Sequence, residues 1–359
     1  MQTTKLLQSH NNINFLRLVF ASLVIVSHAP ELADGNRSRE LLSSVFGTTS
    51  FGGFAVACFF LLSGFLIVKS WQSRPELKTF FKKRIQRIYP GFVAALLISV
   101  VVIAPFGTPN AYRFFAGLNF WELVKDALFL RMPEHVAGAY PGTHYAHVNG
   151  ALWTIVYEFR CYTAVAVVGT LLPYRQKTAW LSLFILSILF VYMIEPLKQG
   201  RFFGLIWLVP PSIAKLTELF IYFASGACFY LFSSNISYRW KWVFFSLPIT
   251  GLLMFKYFLS KIGLATVGAY SLFSLAFVSI PSLNWFRKMP DLSYGIYLYG
   301  WPIQKILFWY FPTVSPWLML PFTFGLSCIA GYISWELIES PFLRRKRRPD
   351  VQLTTSPIP

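Results

Sequence analysis

Charge is scarce in this chain. Only 13% of its 359 residues are Asp, Glu, Lys or Arg, and 14 acidic side chains face 32 Lys and Arg. A soluble globular domain carries about 25% charged residues, so that class is excluded. Cysteine is as thin on the ground. Cys58, Cys161, Cys228 and Cys328 all fall inside apolar stretches and lack metal-ligand spacing. That excludes a disulfide framework and a zinc centre, and no metal is expected. There is no internal repeat and no low-complexity linker. The first apolar stretch lacks a small-residue cleavage site and runs longer than a signal-peptide core, so no cleavable leader is expected.

What the chain has in abundance is apolar surface: 55% hydrophobic residues and a mean hydropathy of +0.53. The pattern predicts an all-α, polytopic membrane protein of about ten transmembrane helices, each about 20 residues long. The stretches read as 13–33, 52–71, 88–106, 150–172, 178–195, 212–232, 240–259, 262–281, 291–311 and 316–338. A more polar piece, 111–131, with Trp121, Glu122, Lys125 and Asp126, reads as interfacial. The domain division is a membrane domain over 1–343 and a basic cytoplasmic tail over 344–359. The formal net charge of +18 does not point to nucleic acid, because the basic residues sit in short loops. Lys69 to Arg87, Arg175 with Lys177, Arg239 with Lys241, Arg287 with Lys288 and Arg344 to Arg348 all fall in even-numbered loops. The positive-inside rule then places both termini in the cytoplasm. His135, His144 and His147 in the long loop 107–149 lack matching acidic or thiol ligands and read as solvated.

Ionisable residues inside apolar spans mark functional sites. Arg17 and His28 are eleven residues apart in the first span. On a helix that spacing puts both on one face, about 16 Å apart, with Glu31 extending the stripe. In the fourth span Thr154, Glu158 and Tyr162 share a face, whereas Glu158 and Arg160 point apart. Counting rise from opposite ends brings Glu158 to a depth comparable with His28, which makes it a candidate to fix the imidazole tautomer. The alternative is a pair of charges that only holds helices together. Arg84 and Arg87, next to Lys83, are neighbours on one helix face and suit bidentate contact with phosphate. Topology and lipid headgroups account for them as well. In the ninth span Tyr294, Tyr297, Trp301 and Gln304 form one stripe, ending beside Lys305 near Pro302, as a carbohydrate cavity or simple aromatic packing would. Glu336 and Glu339 read as answering the basic tail.

These stretches together resemble the acyltransferase 3 family of integral-membrane acyltransferases. The carriers are Arg17…His28, Phe59-Phe-Leu-Leu-Ser-Gly-Phe, Lys83-Arg-Ile-Gln-Arg-Ile-Tyr-Pro, Ala151-Leu-Trp-Thr…Tyr157-Glu, Leu292-Ser-Tyr-Gly-Ile-Tyr-Leu-Tyr and Leu337-Ile-Glu-Ser-Pro-Phe, in order from about 13 to 343. The resemblance implies about ten helices in the cell inner membrane. It also implies a cytoplasmic acyl-CoA donor, most simply acetyl-CoA, and O-acylation of an envelope carbohydrate, glycolipid or similar acceptor. It singles out Arg17, His28, Arg84 and Arg87, with Glu158 as the acidic residue of the fourth-span motif. Some members end in a hydrolase-like domain, and this chain stops soon after its basic tail. The expectation is that the membrane domain or a separate partner completes transfer. The working reading has Arg84, Arg87 and Lys83 holding CoA phosphates, Arg17 at the thioester, His28 as base and Glu158 orienting it. A rival class, a proton-coupled transporter of a small acid or sugar, would use His28 and Glu158 as a relay. It leaves the paired arginines and the lack of inverted symmetry unexplained.

Overall fold

A computed structural model describes residues 11–133, 136, 138–198, 210–287 and 289–344. His135, Lys288 and the basic tail from residue 345 lie outside the described residues. Among the described residues the chain is helical with no strand. Seven helices among the described residues are long and apolar enough to cross a membrane. Three further expected stretches are helical but shorter or more polar: Pro211–Leu231, Trp240–Leu253 and Ser293–Tyr310. Trp240–Leu253 has 14 residues, about 21 Å of helix against a hydrocarbon core of about 30 Å. The break expected near 260 falls instead at Lys256, whose extended backbone starts the next helix at Tyr257.

The main helices are α1 (Ile13–Asp34), α2 (Phe51–Ser73), α3 (Leu77–Leu97), α4 (Phe120–Phe129), α5 (Ile155–Leu171), α6 (Gln176–Lys198), α7 (Pro211–Leu231), α8 (Trp240–Leu253), α9 (Tyr257–Gly263), α10 (Ala269–Phe277), α11 (Ser293–Tyr310) and α12 (Pro316–Ser334). Helix α1 sits between α2, α11 and α12, and α2 lies along α7. That arrangement explains why a helix of modest hydropathy carries Arg17 and His28: its polar stripe faces protein rather than lipid.

Three π-helical turns interrupt the rods: Ile98–Ile103 continuing α3, Leu264–Gly268 between α9 and α10, and Trp335–Glu339 after α12. Such turns are uncommon and gather at functional sites. Ser99 and Glu339 lie within two of these turns and Lys261 lies in α9 just before the other, and each reaches a polar partner described below.

The segment expected to lie at the interface does not stay at one surface. The Tyr89 hydroxyl donates to the Leu128 carbonyl at the end of α4 (2.8 Å). Tyr140 N–H returns to the Gly107 carbonyl (2.7 Å). Tyr89 lies 18 residues before Gly107, about 27 Å along the helix. The segment therefore descends beside α3 and climbs back. Its apolar side, Phe120, Trp121, Leu128 and Phe129, is exposed and able to meet lipid.

Candidate active site

Two cavities occupy opposite ends of α1. The first, about 880 Å³ of free space, is lined by Arg17 of α1, Ser63 of α2, Arg84 and Arg87 of α3, Glu158 and Tyr162 of α5, and Tyr294 and Tyr297 of α11. Two of its guanidiniums are already engaged. Asp291 pairs with both Arg17 (2.9 Å) and Arg87 (2.6 Å), and Glu339 lies 3.6 Å from Arg87. Arg84 makes no ion pair among the described residues. It lies over the Phe80 and Tyr162 rings (5.8 and 5.9 Å), reaches Ser70 Oγ at 3.4 Å, and has a buried Nε with no hydrogen-bond partner. Of the three arginines it is the one left to meet an anion. Lys83, expected beside it, is exposed and does not line this cavity. Glu339, in the π turn after α12, is buried beside Arg87, and the tail it was expected to answer lies outside the described residues.

The second cavity, about 910 Å³, holds His28, Glu31 and Arg37 at the far end of α1, with Lys215, Glu218 and Lys261 opposite. His28 therefore faces a cavity rather than lipid. Its Nδ1 lies 2.9 Å from Glu31 Oε2. A carboxylate can only accept, so Nδ1 carries the proton and Nε2 is left as the basic nitrogen. Glu31, only 2% exposed, is held from the other side by Arg37. Arg37 can reach back because Gly35 ends α1 in the left-handed region (φ 75°) and turns the chain over. Glu40 completes the fold-back: buried, it accepts from Ser27 Oγ (2.8 Å) and from Phe51 N–H, and burial pushes its carboxyl above the usual carboxylate range.

Glu158 does not meet His28. It accepts from Tyr162 (2.5 Å) and Ser63 (3.0 Å) in the arginine cavity. Rise along a helix sets depth only, whereas side-chain direction sends Glu158 towards Ser63 and Glu31 towards His28. The i, i+3 spacing of His28 and Glu31 was the signal for the true partner.

The two cavities share a wall. Val56 and Tyr297 line both, and the Tyr297 hydroxyl is 2.7 Å from Thr154 Oγ1. Tyr294 lines the arginine cavity and donates to the Ile88 carbonyl (2.9 Å). The other two residues of the aromatic stripe act as supports. Trp301 packs edge-on to His28 (ring centroids 4.6 Å), with its Nε1 3.4 Å from the His147 carbonyl. Gln304 is fully buried and donates to the Ile25 carbonyl (2.9 Å), close to where Pro30 deprives the helix of an N–H. Neither lines either of these two cavities, and both brace α1. Asn149, fully buried, was not foreseen. It caps the turn Gly150–Thr154 through Ala151 N–H (3.1 Å) and donates to Ser99 Oγ (3.0 Å) and the Leu298 carbonyl (2.9 Å).

A methyl group on Gly150 would sit 2.6–2.8 Å from three atoms of the Trp301 ring. Gly150→Ala is therefore expected to displace Trp301 from His28. The loss should be tenfold or more in kcat, about 1.4 kcal/mol, with little change in donor affinity. Steady-state kinetics of the variant would check the split, and unchanged kcat would dissociate Trp301 from the imidazole.

Comparison with known proteins agrees with this geometry. Residues 10–336 match the family model described as an acyltransferase domain. The chain is 26% identical over 351 residues to an O-acetyl transferase of Shigella phage Sf6, covering 93% of this chain and 96% of that one. It is 25% identical over 366 residues to nodulation protein 10 of Rhizobium leguminosarum bv. viciae, covering 93% of each. A shorter match, 32% over 127 residues, 34% of this chain and 30% of the relative, is to acyltransferase MdmB of Streptomyces mycarofaciens. No solved structure matches. A match over most of the chain, with polar cavities enclosed among apolar helices, decides between enzyme and transporter: the chain belongs to the acyltransferase 3 family and is a multi-pass membrane O-acyltransferase.

Proposed function

We propose that the protein takes an acetyl group from acetyl-CoA at the cytoplasmic face of the inner membrane and transfers it to a hydroxyl of an envelope carbohydrate at the opposite end. The observation that carries this reading is the pair of cavities sharing Val56 and Tyr297, one lined by guanidiniums and the other by a His–Glu dyad. The basic loop between α2 and α3 supports a cytoplasmic arginine end.

In this scheme Arg84 binds a phosphate of CoA, charge-assisted and bidentate. Arg87 and Arg17, tied to Asp291, set the positive field around the pantetheine and thioester without being spent on it. Lys83 keeps a role only at the mouth, as a surface attraction for phosphate. Glu158, hydrogen-bonded to Ser63 and Tyr162, shapes the wall of the donor cavity. Tyr297 and Thr154 stand at the wall between the cavities, where thioester and acceptor are to meet, and Tyr294, Trp301 and Gln304 hold the helices that frame it. His28 Nε2 takes the proton from the acceptor hydroxyl as its oxygen attacks the thioester carbonyl. The C–S bond then breaks, and the CoA thiolate leaves and takes up a proton, while Glu31 stabilises the imidazolium.

The test is binding of radiolabelled acetyl-CoA to the purified protein. Arg84→Ala is expected to weaken binding at least tenfold, about 1.4 kcal/mol, and Arg84→Lys less. Unchanged binding in Arg84→Ala would remove the donor site from the arginine end.

A further inference from the structure

The His28 cavity has more positive than negative charge. Arg37, Lys215 and Lys261 stand against Glu31 and Glu218, three cations to two carboxylates. Arg37 and Glu31 answer one another. The surplus is therefore at Glu218, whose two oxygens are divided between Lys215 (3.2 Å, to Oε2) and Lys261 (2.7 Å, to Oε1). The two lysines are not equivalent. Lys261 has a side chain 6% exposed, placed 4.0 Å from the Tyr257 ring centroid and donating to the Tyr257 hydroxyl (2.8 Å). Lys215 is 42% exposed and held only by the longer contact, over the Trp153 ring at 5.1 Å. Lys261 alone can neutralise Glu218. The second ammonium is surplus to that neutralisation, reachable, and held only loosely at the cavity wall.

We propose, building on the reading above, that this cavity takes an acceptor bearing an oxyanion, as in an acidic sugar or a glycosyl phosphate, with that group on Lys215. Lys215 turns from Glu218 to the oxyanion, Lys261 keeps Glu218 neutral, and Trp153 offers its face to the sugar ring. The acceptor's free hydroxyl then points across the same cavity to His28. This orientation needs no movement of α1, because His28 and Lys215 line one space.

The experiment measures binding of three small probes to the full-length protein in nanodiscs, where both faces are open: methyl glucuronide, glucose 1-phosphate and methyl glucoside. Trp fluorescence or calorimetry reports affinity. At least one anionic probe is expected to bind at least tenfold tighter than the neutral glucoside, and the preferred one identifies carboxylate or phosphate as the group. The preference should persist in Lys215→Arg and fall to near parity in Lys215→Gln. Equal binding of all three, no binding of either anion, or an anion preference intact in Lys215→Gln would overturn the proposal. Acetyl-CoA binding on the same samples separates the two levels. If CoA binds while anions are not preferred, only this inference fails; if CoA does not bind, the donor reading fails as well.

Discussion

Replacing His28 with alanine is expected to lower acyl transfer by about 10²–10⁴-fold, the usual contribution of a general base, while acetyl-CoA binding at the other end of α1 persists. The side chain lies in a cavity, contacts Glu31 and Trp301, and carries no backbone support, so the helix should still insert. The sharper comparison is between two carboxylates. Glu31→Gln keeps the shape but removes the charge that fixes the Nδ1 proton and stabilises the imidazolium. It should lower kcat by about 10- to 100-fold with little effect on the KM for donor, and Glu31→Asp should recover part of the loss. Glu158→Gln should instead act on donor KM, because Glu158 lines the arginine cavity. If the two glutamines showed the reverse split, the assignment of Glu31 to the imidazole would be wrong. Equal expression and a monodisperse elution profile are needed for each variant, since Glu31 also holds Arg37.

The distribution of legible and illegible features follows from how far each signal travels along the chain. The shared face of Arg17 and His28 depends only on helix periodicity, and both residues line cavities as that periodicity requires. The same holds for Thr154, Glu158 and Tyr162, which come together with Tyr297 and Ser63 on one side of α5. Pairings across helices were not legible. Asp291 joins Arg17 and Arg87 over more than two hundred residues, and nothing in its surroundings, Met289-Pro290-Asp291-Leu292, announces two guanidiniums. The contact of Glu339 with Arg87 was not legible either, since it is made from a π turn, which has no dependable sequence signature. The error over Glu158 has a similar root. Rise per residue gives depth along the membrane, but the azimuth of a side chain depends on helix rotation, which packing decides. The span expected over 212–232 is found as α7, Pro211–Leu231, yet α7 holds Lys215 and Glu218 inside a cavity and so is not among the helices that apolarity alone marks as spanning.

The crossing of α2 and α7 carries the other large effect. A Cβ on Gly64 would lie 2.0 Å from the Phe223 carbonyl oxygen, and one on Gly226 would lie 2.0 Å from the Leu61 carbonyl oxygen. Both obstacles are backbone atoms, so no rotamer change relieves them; the helices must part. Small residues let membrane helices approach this closely, and Gly64 is the glycine of the Phe59-to-Phe65 motif. Overpacking a core typically costs about 1–3 kcal/mol, and Gly64→Ala or Gly226→Ala should reach or exceed the upper end of that range. The effect would extend to the site, because α2 carries Val56 and Ser63 and α7 carries Lys215 and Glu218. A separation of about an ångström is enough to spoil catalytic geometry. Thermal unfolding in detergent should show both variants sharply destabilised, with activity lost before the fold. The double variant should cost less than the sum, since helices parted for one methyl already accommodate the second. Gly251→Ala and Gly325→Ala meet nothing within 4 Å and should leave stability unchanged or slightly raised. Equal tolerance at all four glycines would mean that α2 and α7 do not cross at backbone contact, and the cavity walls would then have to be built another way.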